Sequence, residues 1–204
     1  MTTQRKADLL LVLITGFWGC SYYLSDLALG EMPPFALCAM RFLLAFALLG
    51  IALFPKLRHV NRKTLLWAVP AGLSLTLTYI GATVGLLYTS ISNAGFICSL
   101  PAVTTPLLTF LLYRKKPERR MLLCLALCTV GLGLLTLGND FRPAPGDLIC
   151  LLCALGYGIN LLVVEHAVRQ PEVAALQLGV FQQLVTGAAM LVLSLLLPWL
   201  FESK

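Results

Sequence analysis

Residues 65–87 read LLWAVPAGLSLTLTYIGATVGLL and carry no charged side chain. An apolar stretch of about 18 or more residues with few charges is typical of a helix that crosses a lipid bilayer. Comparable stretches occur at residues 9–28, 35–54, 93–113, 121–138, 147–164 and 174–197. Backbone groups in lipid must form their hydrogen bonds within the segment, so these stretches predict helices. The sequence therefore predicts an all-α integral membrane protein of about seven transmembrane helices, without a soluble domain.

The composition of the chain supports this class. Of its 204 residues, 59% are hydrophobic and 12% are charged, and the mean hydropathy is +0.88. A soluble domain carries roughly 25% charged residues, because it needs a polar surface. The first apolar stretch is not a signal peptide, since no small-residue cleavage site follows it. We therefore expect the lipid bilayer to surround the whole chain.

The basic residues are distributed unevenly between the two sides of the predicted bundle. One side holds twelve of the fifteen, namely Arg5, Lys6, Lys56, Arg58, Arg62, Lys63, Arg114, Lys115, Lys116, Arg119, Arg120 and Arg169. The other side holds Arg142 and Lys204, while Arg41 lies within a predicted span. Cytoplasmic loops are enriched in Lys and Arg, so we expect a cytoplasmic N-terminus in a plasma or inner membrane. The net charge of +6 is then a topology signal, and no nucleic-acid partner is expected.

Two parts of the chain resemble each other. The aligned pairs are Asp8 with Asp147, Leu9 with Leu148, Trp18 with Tyr157 and Gly19 with Gly158, and further on residues 40–43 with residues 181–184. Five predicted spans separate the two starts, so the second copy enters the membrane from the opposite face. Such inverted repeats occur in many secondary transporters. We therefore predict one five-helix repeat at residues 1–140 and the first two helices of an inverted repeat at residues 141–204.

Several short motifs resemble, in order and spacing, those of EamA-type transporters of the drug/metabolite transporter superfamily. The matching stretches are residues 17–19 (FWG), residues 33–34 (PP) followed by residues 41–42 (RF), residues 88–94 (YTSISNA), residues 99–101 (SLP) with residues 104–106 (TTP), and residues 130–133 (VGLG). The resemblance covers essentially the whole chain. It implies a ten-helix fold of two inverted repeats around a central cavity. It also implies transport of small organic metabolites, often amino acids and often outward.

The chain departs from this family pattern in two respects. Lys115 stands where the family usually has a glutamate at the end of span four. We also expect spans eight to ten, which would close the cavity, to be missing from the chain. Two functional hypotheses follow. The first is a multi-pass transporter that exports amino-acid-like or drug-like solutes by alternating access. The second is a truncated, non-transporting remnant or membrane assembly subunit, which needs a partner half from a homodimer or from separate C-terminal helices.

Polar and aromatic residues within the predicted spans are the candidates for lining a substrate cavity. They are Trp18, Tyr22, Arg41, Tyr79, Ser99, Thr104, Tyr157, Asn160 and Gln182. Uncharged polar groups avoid lipid, so they either contact substrate or form hydrogen bonds between helices. Trp18 and Tyr157 lie near mid-span, away from the membrane interface that such side chains favour. A cavity wall and ordinary packing are both compatible with that position.

Arg41, two prolines and two glycines complete the predictions within the spans. Arg41 either reaches the membrane interface as an anchor or acts on an anionic group or a gating partner. The prolines at 101 and 106 each leave a carbonyl group unbonded, so span four is either a bent packing helix or a broken helix that lines the cavity. Gly81 and Gly85 have the spacing G-x-x-x-G, which predicts close packing against another helix.

The sequence lacks the groups that catalysis or a cofactor would need. All nine Asp and Glu residues lie at span ends or in loops, and no metalloprotease, nucleophile-elbow, phosphate-loop or dinucleotide motif occurs. The seven cysteines lie within apolar stretches. Cys150 and Cys153 form a C-x-x-C without a second pair or a histidine, so we interpret them as small hydrophobic residues. We expect no enzyme activity, no cofactor and no metal site.

Overall fold

A computed structural model describes residues 3–114, 119–137 and 145–198 of the chain. Its helices are α1 (Thr3–Leu29), α2 (Pro34–Ala52), α3 (Phe54–Leu57), α4 (Arg62–Leu86), α5 (Ile91–Ile97), α6 (Pro101–Tyr113), α7 (Arg119–Leu137), α8 (Pro145–Val168) and α9 (Ala175–Leu196). The described ranges contain no β-strand. The predicted all-α fold is therefore confirmed.

Five of these helices are long and apolar enough to cross a membrane. Within the described ranges they are residues Asp8–Leu29 of α1, together with α2, α4, α8 and α9. Their bounds agree within a few residues with the predicted spans one, two, three, six and seven. α7 occupies the position of the predicted fifth span. The number of helices that cross the bilayer stays a prediction.

The predicted fourth span is two helices. α5 ends at Ile97, α6 begins at Pro101, and a turn at residues 98–100 separates them. Proline has no backbone N–H, and the first position of a helix needs none, so a new helix begins readily at Pro101. Pro106 lies inside α6 and does not end it. The sequence left a bent helix and a broken helix as alternatives for span four, and the structure shows the broken helix.

α4 and α8 form the most extensively packed helix pair in the described chain. A Cβ atom built on Gly81 would overlap the backbone of Cys153, and one built on Gly156 would lie 2.8 Å from the amide nitrogen of Thr78. Residue numbers rise along one helix as they fall along the other, so the pair is antiparallel. A side chain at either glycine would push the two backbones apart. Gly85 likewise meets Cys150, so the predicted close packing at both glycines of the G-x-x-x-G is confirmed.

Three hydroxyl groups in the middle of α4 form hydrogen bonds to the backbone of the helix itself. Ser74 Oγ donates to the carbonyl of Pro70 at 2.9 Å, Thr76 Oγ1 to that of Gly72 at 2.8 Å, and Thr78 Oγ1 to that of Ser74 at 2.9 Å. Serine and threonine commonly form such bonds to the preceding turn of a helix. α4 can therefore bury a face of small polar residues at membrane depth without leaving these hydroxyls unpaired.

α9 packs against both α2 and α4. The shared core consists of Phe35, Cys38, Ala39 and Phe42 of α2, Leu75 of α4 and Met190 of α9. The Phe46 ring lies 6.1 Å from that of Phe181, and Leu43 closes over Gly187, so α2 and α9 are antiparallel. Helices from both predicted repeats thus share one core. The division of the chain into repeats at residues 140 and 141 stays a prediction.

Candidate functional site

A cavity of about 620 Å³ lies between α1, α2, α4, α5 and α8. Its polar lining comes from Thr15, Ser21, Ser25, Arg41, Thr78, Tyr79, Thr83, Ser92, Ser99 and Tyr157. Six of these ten positions lie in the C-terminal halves of α1 and α4 and in the N-terminal half of α2, which meet at the same end of the bundle. Small-molecule sites in proteins have volumes of about 300–1,000 Å³. The cavity therefore has the size and the mixed lining of a site for a small organic solute.

Arg41 is the charged residue among the described side chains that line this cavity. Its Nη1 donates to Ser25 Oγ at 2.7 Å and its Nη2 donates to Ser21 Oγ at 2.6 Å. The two serines lie one turn apart on α1, so both hydroxyls face the guanidinium group. Within the described residues the ion pairs are Lys63 with Glu172 and Arg169 with Glu165, and none includes Arg41. The structure therefore places a half-buried cation, held by two neutral hydroxyls, in the cavity wall.

Aromatic rings form the facing part of the wall. The indole of Trp18 and the phenol of Tyr157 meet edge to face, with ring centroids 5.7 Å apart and an angle of 62° between the planes. Tyr79 packs in the same manner on Phe42, at 4.6 Å and 87°. Such edge-to-face pairs stabilise a fixed ring orientation. α1, α4 and α8 thus present rigid aromatic surfaces to the cavity.

The break between α5 and α6 also contributes to the wall. Cys98, Ser99 and Pro101 line the cavity at this break. The Ser99 hydroxyl donates to the carbonyl of Phe96 at 2.6 Å and is exposed. Irregular backbone at membrane depth is tolerated where it lines a cavity. The broken fourth span is therefore part of the cavity.

The nine sequence-predicted site residues fall into three groups. The structure brings five of them, Trp18, Arg41, Tyr79, Ser99 and Tyr157, around the one cavity. Three others, Thr104, Asn160 and Gln182, lie in contacts between helices. The side chain of Tyr22 lies outside the described residues, as do Lys115, Arg142 and Lys204.

The three residues in helix contacts have identified neighbours. Thr104 Oγ1 donates to the carbonyl of Ala154 at 2.9 Å, which joins α6 to α8. Asn160 Nδ2 donates to the carbonyl of Ala71 at 2.8 Å and to Ser74 Oγ at 3.1 Å, which joins α8 to α4. Gln182 is buried where α9 meets Gly72 of α4. Thr104 and Asn160 thus form hydrogen bonds between helices, and their role toward a substrate stays a prediction, as does that of Gln182.

Sequence reasoning missed Ser21 and Ser25, the two partners of Arg41. Both are small, common residues that carry no signal alone. Thr15, Trp18, Ser21 and Ser25 nevertheless recur every three or four residues, and this spacing places them on one face of α1. A polar stripe of this kind beside the aromatic candidate Trp18 is the signal that would have identified them.

The opposite end of the bundle, where α4 begins, is bridged by polar contacts. Lys63 forms an ion pair with Glu172. Trp67 Nε1 donates to Gln170 Oε1 at 3.2 Å, and Gln177 Nε2 donates to the carbonyl of Lys56 at 2.7 Å. These bonds join the segment before and at the start of α4 to the α8–α9 connection and the start of α9. We call this set of contacts the α4 end bridge.

Comparison with known proteins gives two matches. The family model described as the EamA-like transporter family matches residues 5–137. A protein of Archaeoglobus fulgidus described as an uncharacterized transporter is 32% identical over 163 residues, which cover 80% of this chain and 50% of that protein. The chain thus spans about half the length of this curated relative. No solved structure matches the chain significantly.

Proposed function

The chain belongs to the EamA-like transporter family, and on that premise we propose that it carries small organic metabolites, amino-acid-like or drug-like solutes, through the cavity beside Arg41. The cavity itself is the observation that carries this proposal. Polar and charged side chains line it, although it lies between helices that are long and apolar enough to cross a membrane. Polar and ionisable groups at membrane depth are costly and typically mark a solute pathway.

We propose alternating access as the mechanism, and the two ends of α4 support it. The C-terminal half of α4 faces the cavity, whereas its N-terminal end takes part in the α4 end bridge. A transporter that is open toward one side and closed toward the other has this asymmetry. Both side chains of the Lys63–Glu172 pair are about half exposed, and exposed ion pairs contribute only about 0–1 kcal/mol. This ion pair therefore adds little to the cost of opening this end.

Sidedness and direction are part of the proposal. The bridged end carries Lys56, Arg58, Arg62 and Lys63, and the positive-inside rule assigns such a cluster to the cytoplasm. The N-terminus would then be cytoplasmic, in a plasma or inner membrane, the cavity would open away from the cytoplasm, and transport would run outward. Reporter fusions at residues 60 and 140 test this. A cytoplasmic signal at residue 140 would overturn both the orientation and the inverted repeat.

Counterflow in liposomes tests transport itself. Purified chain is reconstituted and loaded with unlabelled solute, and uptake of the labelled solute is followed for a panel of amino acids, organic acids and organic amines. We expect saturable counterflow of at least one solute, and protein-free liposomes provide the baseline. Absence of counterflow for the whole panel, with monodisperse protein, would contradict the proposal. Counterflow that appears only after a second half is added would favour the assembly-subunit alternative, in line with a match that covers 50% of the curated relative.

A further inference from the structure

The charge of Arg41 is only partly compensated within the cavity. A guanidinium group has five N–H donors. Two nitrogens of Arg41 donate to Ser21 and Ser25, and both acceptors are neutral. A cation near membrane depth is costly, by about 2.5–3.5 kcal/mol on insertion scales. The structure therefore keeps a positive charge with spare donors at the wall of a cavity large enough for a small molecule.

The geometry of a guanidinium group favours a carboxylate as its counter-ion. Arginine binds the two oxygens of a carboxylate through parallel N–H donors, and such charge-assisted pairs are stronger than neutral hydrogen bonds. The serine hydroxyls hold the guanidinium from the α1 side and so fix its orientation. A ligand that reaches Arg41 through the cavity meets a cation that is already in position.

An aromatic surface lies within one helical turn of this cation. Trp18 precedes Ser21 by three residues on α1, a rise of about 4.5 Å along the helix axis, and Ser21 bonds directly to Arg41. Trp18 is 50% exposed and Tyr157 is packed against its ring. Aromatic walls bind planar apolar groups by offset or edge-to-face contact. A ligand with a short spacer between a carboxylate and a ring can contact Arg41 and Trp18 together.

The charge of the cavity argues against cationic ligands. Among its described lining side chains Arg41 carries a charge and no Asp or Glu is present. An ammonium group brought into this cavity would meet a like charge and would lose hydration without an anionic partner. A doubly charged phosphate would keep a charge that Arg41 alone cannot neutralise. The match is therefore a single negative charge on an otherwise apolar body.

From these observations we propose that the cavity binds organic monocarboxylates with a planar apolar body, the carboxylate on Arg41 and the body against Trp18 and Tyr157. This inference rests on the proposed transport function and names the class of solute. It narrows the broader set of amino-acid-like and drug-like solutes, because it assigns carboxylates that carry a planar aryl group to the site and excludes organic amines.

A ligand series on the unaltered chain tests the inference without any mutation. Calorimetric titration of the purified chain in detergent compares 3-phenylpropanoate, 3-phenylpropanamide and 3-phenylpropan-1-amine, which share one skeleton. We expect the acid to bind at least about tenfold more tightly than the amide, as loss of a charge-assisted hydrogen bond predicts, and we expect no binding of the amine. Equal affinity for acid and amide, or binding of the amine, would overturn the inference.

Variants then assign the effect to Arg41. Arg41→Gln is expected to abolish the preference for acid over amide, whereas Arg41→Lys keeps the charge and retains part of the preference. Arg58→Gln removes an exposed cation outside the cavity and serves as the matched control, with affinities unchanged. An acid preference that survives in a folded Arg41→Gln protein would assign the carboxylate elsewhere and sink the proposal.

Measurements of binding and of counterflow distinguish failure of the carboxylate site from failure of the transport function. Acid-selective binding without counterflow of any solute would leave the site intact and contradict the transport function. Counterflow of amines or neutral solutes without acid-selective binding would support transport and contradict the carboxylate site.

Discussion

The indole of Trp18 and the phenol of Tyr157 touch each other in the wall of the cavity, and these two residues occupy equivalent positions in the predicted sequence repeat. Two residues related by a two-fold axis can touch only if both lie next to that axis. The axis of the predicted inverted repeat would therefore pass between these rings, and the repeat itself stays a prediction.

The Trp18–Tyr157 pair is expected to show a measurable coupling energy. Trp18→Ala, Tyr157→Ala and the double variant are compared with the unaltered chain by unfolding in a mixed detergent series. Edge-to-face aromatic pairs contribute about 0.5–1.5 kcal/mol beyond the area they bury. The double variant should therefore lose less stability than the two single variants together, by about that amount. Strict additivity would show that the rings do not stabilise each other.

Two glycine variants are expected to differ in their effect on stability. Gly81→Ala places a methyl group on the backbone of α8, and overpacking of this kind costs about 1–3 kcal/mol or more. Gly16 lies inside α1 with no atom within 4 Å of a built Cβ. Gly16→Ala is therefore expected to leave stability unchanged or to raise it by up to about 1 kcal/mol, because alanine favours the helix. Thermal midpoints in detergent provide the measurement. Similar midpoints for both variants would contradict the close α4–α8 contact.

Asn160 is expected to contribute to helix packing and not to ligand binding. Its amide bonds to α4, so Asn160→Leu is expected to lower stability by about 0.5–2 kcal/mol, the range for hydrogen bonds between membrane helices. Affinity for 3-phenylpropanoate should stay unchanged, because the side chain faces α4. Unfolding and titration are measured on the same preparation. Reduced affinity without a loss of stability would indicate that Asn160 contacts the ligand in the cavity.

A reversible cross-link at the α4 end bridge is expected to stop transport. Cysteines in place of Lys63 and Glu172 are joined with a short bis-methanethiosulfonate reagent, because two long side chains make the ion pair and a direct disulfide needs Cα atoms within about 7 Å. Counterflow should cease after cross-linking and return after reduction with a thiol. The two single-cysteine variants control for the native cysteines and for loss of the ion pair. Undiminished counterflow in a fully cross-linked protein would show that this end need not open.

Sequence analysis predicted the spans well because hydropathy is a local property. The bounds of α4 differ from residues 65–87 by only a few positions. The sequence did not decide whether the helix breaks at Pro101, because a proline at the start of a helix and a proline within one look alike in sequence. Pro106, five residues later, leaves α6 continuous.

The sequence did not predict whether a given polar side chain contacts another helix or the cavity. Thr104 and Ser99 are similar hydroxyl residues in the same predicted span, yet Thr104 donates to α8 and Ser99 lines the cavity. Which face of a helix meets which neighbour depends on distant helices that the local pattern does not contain. The sequence therefore identified residues that avoid lipid, and only the packed structure separates those that meet another helix from those that meet the cavity.

The pairing of α4 with α8 also imposes an order on biogenesis. α5, α6 and α7 are synthesised between these two helices, so the small polar face of α4 must remain uncovered until α8 has been made. During that interval the glycines and hydroxyls that later contact α8 face lipid, the insertion machinery or another polypeptide. Until α8 is inserted, the nascent chain therefore has a polar face of α4 without its partner helix. Slow or failed insertion of α8 would prolong the exposure of this face to membrane quality control.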